Sequence, residues 1–349
     1  MWSAWQPDRG MPFNSYIFAR DDGFVAVDPL PLDGESTDAL RRGGGVHTVV
    51  LTNRDHERGA SEFRERFGAR VIAHSVEAPL FTVALDGTFE DGDEVFAGAF
   101  AVSLPFGKTK GEVALHLPAV KAAVVGDVLL GTPAGSLSVL PDAKLEDPRR
   151  FLFSLRRLWG LTLQTLLLCD GQPLFSDADA AIGALLEKRL GADANRINAD
   201  EIRYATSRRP HGVYRVHDGE VGLPLGARKL GYRLARLDPG TAFCPLHWHV
   251  QAEEFFYVLE GQPAIRTLRG TIECRPGDFI AFPTGERGAH QLRNDSDASC
   301  LVLMVGMEDA AVGLEACFYP DSDKVGLWTS VEQLRMVRAS PDLDYYDRE

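Results

Sequence analysis

The stretch PGTAFCPLHWHVQAEEFFYVLEG, residues 239–261, decides how the second half of this chain folds. His247 and His249 stand two apart, so an extended strand projects both imidazoles from one face. Glu254 lies an odd number of residues further on and would face the other way if the strand ran straight. The spacing therefore predicts a bend or loop through Val250 to Ala252, with Glu254 turned inward on the next strand. Phe256 and Val258 share its parity and are expected to line the same interior, as core or as neighbours of a small organic ligand. A third histidine, His290, follows in GDFIAFPTGERGAHQLRN, residues 277–294, with Leu292 and Asn294 on its parity. Three imidazoles and one carboxylate converging inside a barrel suit a divalent transition metal; iron, manganese, nickel, zinc and copper are all compatible with that donor set.

Working outward, short strand-like runs at 230–237, 254–259, 264–268, 271–274, 279–282 and 301–305 are separated by Gly, Pro, Asp and Asn. That rhythm indicates an all-β sandwich or barrel. The first 190 or so residues have a different texture, with strand and helix signals mixed. Runs at 16–18 and 24–27 flank Asp21, Asp22 and Gly23, which is hairpin chemistry. An apolar run at 46–52 precedes a helix predicted over 60–67 and stopped by Gly68. Further strands are expected at 70–73, 113–117 and 122–125. A helix over 148–159 presents Phe151, Leu152, Leu155, Leu158 and Trp159 on one face, and another over 177–190 is read as capped by Ser176 and ended by Gly191. The polar segment 191–199 reads as a linker. The expected organisation is thus an α/β domain over 1–195 and an all-β domain over 196–349.

Composition bounds the partners. The chain has 349 residues, 45% hydrophobic and 25% charged, which is globular and long enough for two domains. Its net charge of −13 disfavours nucleic acid and anionic membranes, and no basic patch offsets it. No uncharged stretch approaches the length of a membrane span, and residues 1–10 carry no secretory pattern, so a cytoplasmic protein is expected. The five cysteines, at 169, 244, 274, 300 and 317, form no CxxC pair, which argues against a disulfide framework and against a thiolate zinc site. His47, His74, His116, His211 and His217 have no partners at ligand spacing and are read as ordinary residues.

The second half resembles the cupin superfamily. The first cupin motif, glycine followed by HxH, Glu and Gly, runs here through Gly240, His247, His249, Glu254 and Gly261. The second runs through Gly277, Pro283, Gly285, His290 and Asn294. Gly240 stands one residue further from the first histidine than the usual pattern, and His290 two residues further beyond Gly285. Both insertions fall in loops, and the short gap between Gly261 and Gly277 is similar to that of compact bacterial members. The resemblance implies a jelly-roll barrel holding one metal on His247, His249, Glu254 and His290, and barrel-edge pairing into a homodimer.

The first half resembles the metallo-β-lactamase fold, an αββα sandwich, on NSYIFARDDGFVAVDP (14–29), VVLTNRDHERGA (49–60), LPFGKTKGEVALHLP (104–118), VVGDVLLG (124–131) and LLLCDGQPLF (166–175). In that family the second segment carries HxHxDH and two metals activate a bridging hydroxide. Here those positions fall on Leu51, Asn53, Asp55 and His56; Lys108 and Gln172 replace two later histidines, and the bridging aspartate survives as Asp127. An ammonium at position 108 places positive charge where a cation should sit. The expectation is a retained fold that has lost its dinuclear chemistry, with a single metal on Asp55, His56 and Asp127 as the sharper alternative.

Three functions follow from these readings. The first is a metal-dependent cupin enzyme, with dioxygenase, decarboxylase or isomerase chemistry on a small oxygenated metabolite. The second is a non-catalytic module that binds a metal or metabolite beside a pseudo-hydrolase domain. The third is a hydrolase acting through the first domain.

Overall fold

A computed structural model describes residues 1–202, 204–208, 212–307, 314–330 and 333–340; His211 lies outside them. The chain divides into two compact units, 1–195 and 196–349.

In the first unit eleven strands form one continuous ladder. Parallel pairing links Gly23–Val27, Val46–Leu51, Arg70–His74 and Gly87–Phe89. The long hairpin strand Met11–Arg20 then connects this half to Thr165–Gly171, Ala122–Gly131, Val113–Leu117 and Ala99–Ser103. Alternation along the strands separates three apolar layers. Val25, Val27, Val50, Leu115, Val124 and Cys169 pack between the two halves of the ladder. Ala26, Val49, Leu51, Val71 and Ala73 face the other way, against Ala60 and Phe63 of helix Ala60–Phe67. Ala114, Ala123, Val125, Leu166 and Leu168 pack against helices Pro148–Trp159 and Ala178–Leu190. Three apolar layers bounded by helices on both outer sides make the αββα sandwich.

Two local readings are corrected. Ser176 does not cap the last helix. The N-cap is Asp177, in the left-handed region at φ 57°, and Ser176 donates only to its carboxylate. The segment 191–199 is not all linker: Gly191–Asn195 is a 3₁₀ turn whose Ala194 is buried, and Arg156 donates to the carbonyls of Asp193 and Ala194. The helix Gly34–Arg42, capped by Asp33, and the strand Trp2–Gln6 are additions to the predicted elements.

The second unit is a jelly roll. A six-stranded sheet runs in the order Ala205–Arg208, Arg215–Glu220, Leu230–Leu237, Cys300–Met307, Glu254–Glu260, Phe279–Phe282. It faces a four-stranded sheet of Thr241–Ala242, Gln291–Asn294, Ala264–Thr267 and Gly270–Glu273, and the two contribute jointly to one core that contains Phe256, Val258, Ile265, Leu292 and Val302. A further sheet joins Trp248–His249 to Glu315–Tyr319, Lys324–Ser330 and Gln333–Arg338. Among the described residues no helix is long and apolar enough to cross a membrane.

Candidate functional site

The strands bring His247, His249, Glu254 and His290 together at one end of the barrel core. His247 and His290 are opposite one another in an antiparallel bridge, closed by backbone bonds of 3.1 and 2.9 Å, so their side chains are neighbours by construction. The chain then bends at Val250–Ala252, and Glu254 opens the next strand with its side chain turned back to the histidines. Its Oε2 is the point of convergence, 2.9 Å from His290 Nε2, 3.4 Å from His249 Nε2 and 4.0 Å from His247 Nε2.

The far side of each ring shows which nitrogen faces inward. His247 Nδ1 donates to the Pro245 carbonyl at 3.0 Å and His290 Nδ1 to the Gly288 carbonyl at 2.9 Å. A carbonyl only accepts, so these bonds fix a hydrogen on Nδ1 of each ring and turn both Nε2 atoms toward Glu254. Burial, with His290 close by, pulls the pKa of His247 down to about 4, so its ring is neutral at physiological pH. Burial opposes ionisation of Glu254, but His249 and His290 outweigh it and hold the carboxyl well below the usual carboxylate range. His249 itself is pushed down by burial and raised on balance by Glu254 and Glu315. Glu254 Oε2 is buried without a well-aligned hydrogen-bond donor. A buried carboxyl oxygen within 4.0 Å of three imidazole Nε2 atoms and without an aligned donor is a set of donors that a divalent cation would satisfy, so these residues fit the metal the motif implies.

Four neighbours expected from parity divide into three kinds. Phe256 lies edge-on to His290, with ring centroids 5.3 Å apart, and so borders the centre. Val258 and Leu292 are core. Asn294 braces a turn, donating to the Leu237 and Ala298 carbonyls and accepting from Ser296. Gly288 is a further requirement, because a Cβ there would stand 1.8 Å from the Pro283 carbonyl oxygen. The variant Gly288→Ala must open the turn that carries the acceptor for His290, and a loss of metal affinity of about tenfold or more is expected by equilibrium titration.

Three neighbours come from a strand beyond both motifs. In Glu315–Tyr319 the alternate residues Glu315, Cys317 and Tyr319 share one face. Cys317 is the register partner of His249 and places Sγ 3.0 Å from its Nδ1, while Tyr319 stacks on His247 at 5.9 Å. Cys244 Sγ lies 3.5 Å from His247 Nδ1. The cysteine spacing argued against sulfur near a metal; the fold nevertheless groups His247, His249 and Cys317, because cross-strand pairing ignores sequence distance. The alternating EACFY pattern is the signal that could have found this strand.

In the first unit the dinuclear site is replaced by ion pairs. Leu51 is buried in the helix-side core, pointing away from any metal position. Lys108 Nζ sits between Asp55 Oδ2 at 2.5 Å and Asp127 Oδ2 at 2.9 Å. Burial disfavours its charge, but Asp127 and Asp55 more than compensate and raise its pKa. Asn53 donates to Asp127 and Glu112. Burial, reinforced by Asp127 and Glu77, raises Glu112 far above the carboxylate range, so it stays protonated. His56 turns away from Asp55 and Asp127: Nδ1 meets buried Asp28 at 2.7 Å, and Arg58 lies 3.1 Å from Nε2 while pairing with Asp170 at 2.8 Å. Asp55, His56 and Asp127 therefore form no common donor set. Two metals do not fit these residues, since an ammonium already neutralises the surviving carboxylates.

The His56–Asp28 pair makes stability depend on pH. Burial opposes both charges, but the pairing lowers the pKa of Asp28 and raises that of His56. The raised imidazole stabilises fully below its ordinary value of 6.5 and less as pH rises through its folded pKa; the lowered carboxyl stabilises fully above 3.8 and less as pH falls. The first unit is expected to be most stable between those values, and protonated Glu112 adds a loss in the alkaline direction. Denaturant midpoints at pH 5 and pH 9 check this: the midpoint should fall at pH 9, and Asp28→Asn should reduce the difference.

An αββα sandwich whose metal positions hold a lysine, followed by a jelly roll with an intact HxH, Glu and His set, defines a two-domain fusion. The chain belongs to the metallo-β-lactamase superfamily, whose family profile matches residues 1–188, and it carries a cupin domain matched over residues 233–306. It is similar to a hydroxyacylglutathione hydrolase of Mesorhizobium japonicum, 27% identical over 239 residues that cover 64% of this chain and 90% of the relative. It is also similar to one of Brucella anthropi, 30% identical, covering 54% of this chain and 75% of the relative. Among solved structures it is similar to a cupin-superfamily sugar phosphate isomerase from Silicibacter pomeroyi, with TM-score 0.36 and 26% identity, covering 44% of this chain and 98% of that one. A metallo-beta-lactamase from Pontibacter korlensis is also similar, with TM-score 0.44 and 18% identity, covering 53% and 92%.

Proposed function

We propose that this protein is a mononuclear metal-dependent cupin, acting on a small oxygenated metabolite, and that its metallo-β-lactamase domain is a pseudo-hydrolase. One observation carries the reading: three imidazole nitrogens converge on a buried glutamate oxygen that has no hydrogen-bond donor. His247, His249, Glu254 and His290 would hold the ion, which when bound supplies Lewis-acid polarisation to a carbonyl or hydroxyl oxygen. The chain's own contribution is to fix the imidazole tautomers through the Pro245 and Gly288 carbonyls and to keep Glu254 ionised. The rings of Phe256, Phe282 and Tyr319 pack against His290 and His247 and exclude water from that side. The ligand is a small molecule; an acidic chain without a basic patch offers nothing to nucleic acid.

The relatives' hydrolase activity does not extend to this chain on the same reasoning, because Lys108 holds Asp55 and Asp127 together. Thermal unfolding of cobalt-loaded protein with small 2-oxo acids and hydroxyketones tests the proposal. Ligand-dependent stabilisation is expected in the wild type and absent in the His247→Ala, His249→Ala variant. Equal stabilisation in both, or turnover of a glutathione thioester that survives loss of the cupin histidines, would refute it.

A further inference from the structure

We infer that Glu315 is a positioning residue of the metal centre, holding the bend between His249 and Glu254 and facing the outer nitrogen of His249. The inference rests on the metal-centre reading and deepens it. Two ligands of opposite parity can meet only if the chain between them turns; Val250 N still pairs with the Ala316 carbonyl at 3.0 Å, while the amides of Gln251 and Ala252 have no strand partner among the described residues. Glu315 supplies what they lack. Its side chain is 1% exposed; Oε1 accepts from Val250 N at 3.0 Å, and Oε2 accepts from Gln251 N and Ala252 N, each at 3.2 Å. The oxygen that takes Val250 N also lies 3.5 Å from His249 Nδ1, within ion-pair range. One buried carboxylate thus fixes the backbone that delivers Glu254 and biases His249 toward presenting Nε2 to the centre. Cys317 Sγ, 3.0 Å from the same Nδ1 and 3.6 Å from Nε2, is the other group there.

Buried carboxylates with several amide donors and an imidazole beside them are costly to maintain without a role, and position 315 lies outside the residues matched by the cupin profile. Cobalt(II) titration of the full-length protein against a competing chelator tests the assignment. In Glu315→Ala the affinity is expected to fall about 10–100-fold. In Glu315→Gln one side-chain oxygen still accepts from the turn, so the affinity loss is smaller, but the visible spectrum of the cobalt-saturated protein changes because His249 loses its anionic neighbour. Cys317→Ala is expected to change affinity less than Glu315→Ala. Wild-type affinity and an unaltered spectrum in both glutamate variants would overturn the inference, as would a larger effect from Cys317→Ala. Should both glutamate variants fail to fold, long-range proton–nitrogen spectra of zinc-loaded wild type decide it: a proton on His249 Nδ1 is expected, and one on Nε2 overturns it. A wild type that takes up neither cobalt nor zinc removes the metal reading itself, and this inference with it.

Discussion

Replacing His290 by alanine is expected to lower the affinity of this protein for cobalt(II) or zinc(II) by more than about 100-fold while leaving the barrel folded, since loss of an outer partner alone costs ~10–100-fold. His290 is 1% exposed and sits closest to Glu254 of the three histidines, at 2.9 Å. Its removal takes away one donor and uncovers the aromatic wall, because Phe282 stacks on its ring at 3.8 Å. The fold should survive, because the bridge to His247 is made by backbone groups that alanine retains. Competition titration reads the affinity and circular dichroism reads the fold. An affinity within threefold of wild type would mean that His290 is a core residue and not a ligand.

The second large effect belongs to the other domain. Asp28→Ala is expected to destabilise the first unit by about 3–5 kcal/mol at pH 6, the usual result of removing one partner of a buried ion pair. Asp28 is fully buried and accepts from Thr52 N at 2.8 Å, from Thr52 Oγ1 at 2.5 Å, from His56 Nδ1 at 2.7 Å and from Cys169 Sγ at 3.2 Å. Without it His56, buried beside Arg58, is held neutral, and the donors of Thr52, His56 and Cys169 lose their acceptor. Denaturant unfolding, followed by a probe in residues 1–195, measures the loss separately from the barrel. A change below 1 kcal/mol would show that the network around His56 is incidental to stability. The comparison also bears on function, since it asks whether the former metal site now serves the fold.

Much of this was legible from local patterns. Helix 60–67 ends at Gly68, as its left-handed φ of 69° requires, and helix 148–159 follows the apolar stripe that packs it. The bend after His249 followed from parity alone. What holds the bend was not legible, because Glu315 lies far along the chain from the loop it caps and its partners are backbone amides, which leave no mark in sequence. Asp28 stood in the quoted metallo-β-lactamase text, yet its role as the hub for Thr52, His56 and Cys169 depends on parallel strand pairing that brings Val27 beside Val50. Lys108 was readable as an obstacle to metal; that one ammonium would join Asp55 to Asp127 required the geometry. The Ser176 cap failed because Asp177 adopts the left-handed region, where the preceding hydroxyl cannot reach the first helical amides.

The most direct test of the central claim is elemental analysis of purified full-length protein beside the His247→Ala, His249→Ala variant, both reloaded with a mixture of divalent metals and desalted. One transition-metal ion per chain is expected in the wild type and less than a tenth of that in the variant, with the first domain contributing none. No bound metal in the wild type, or equal metal in both proteins, would contradict it.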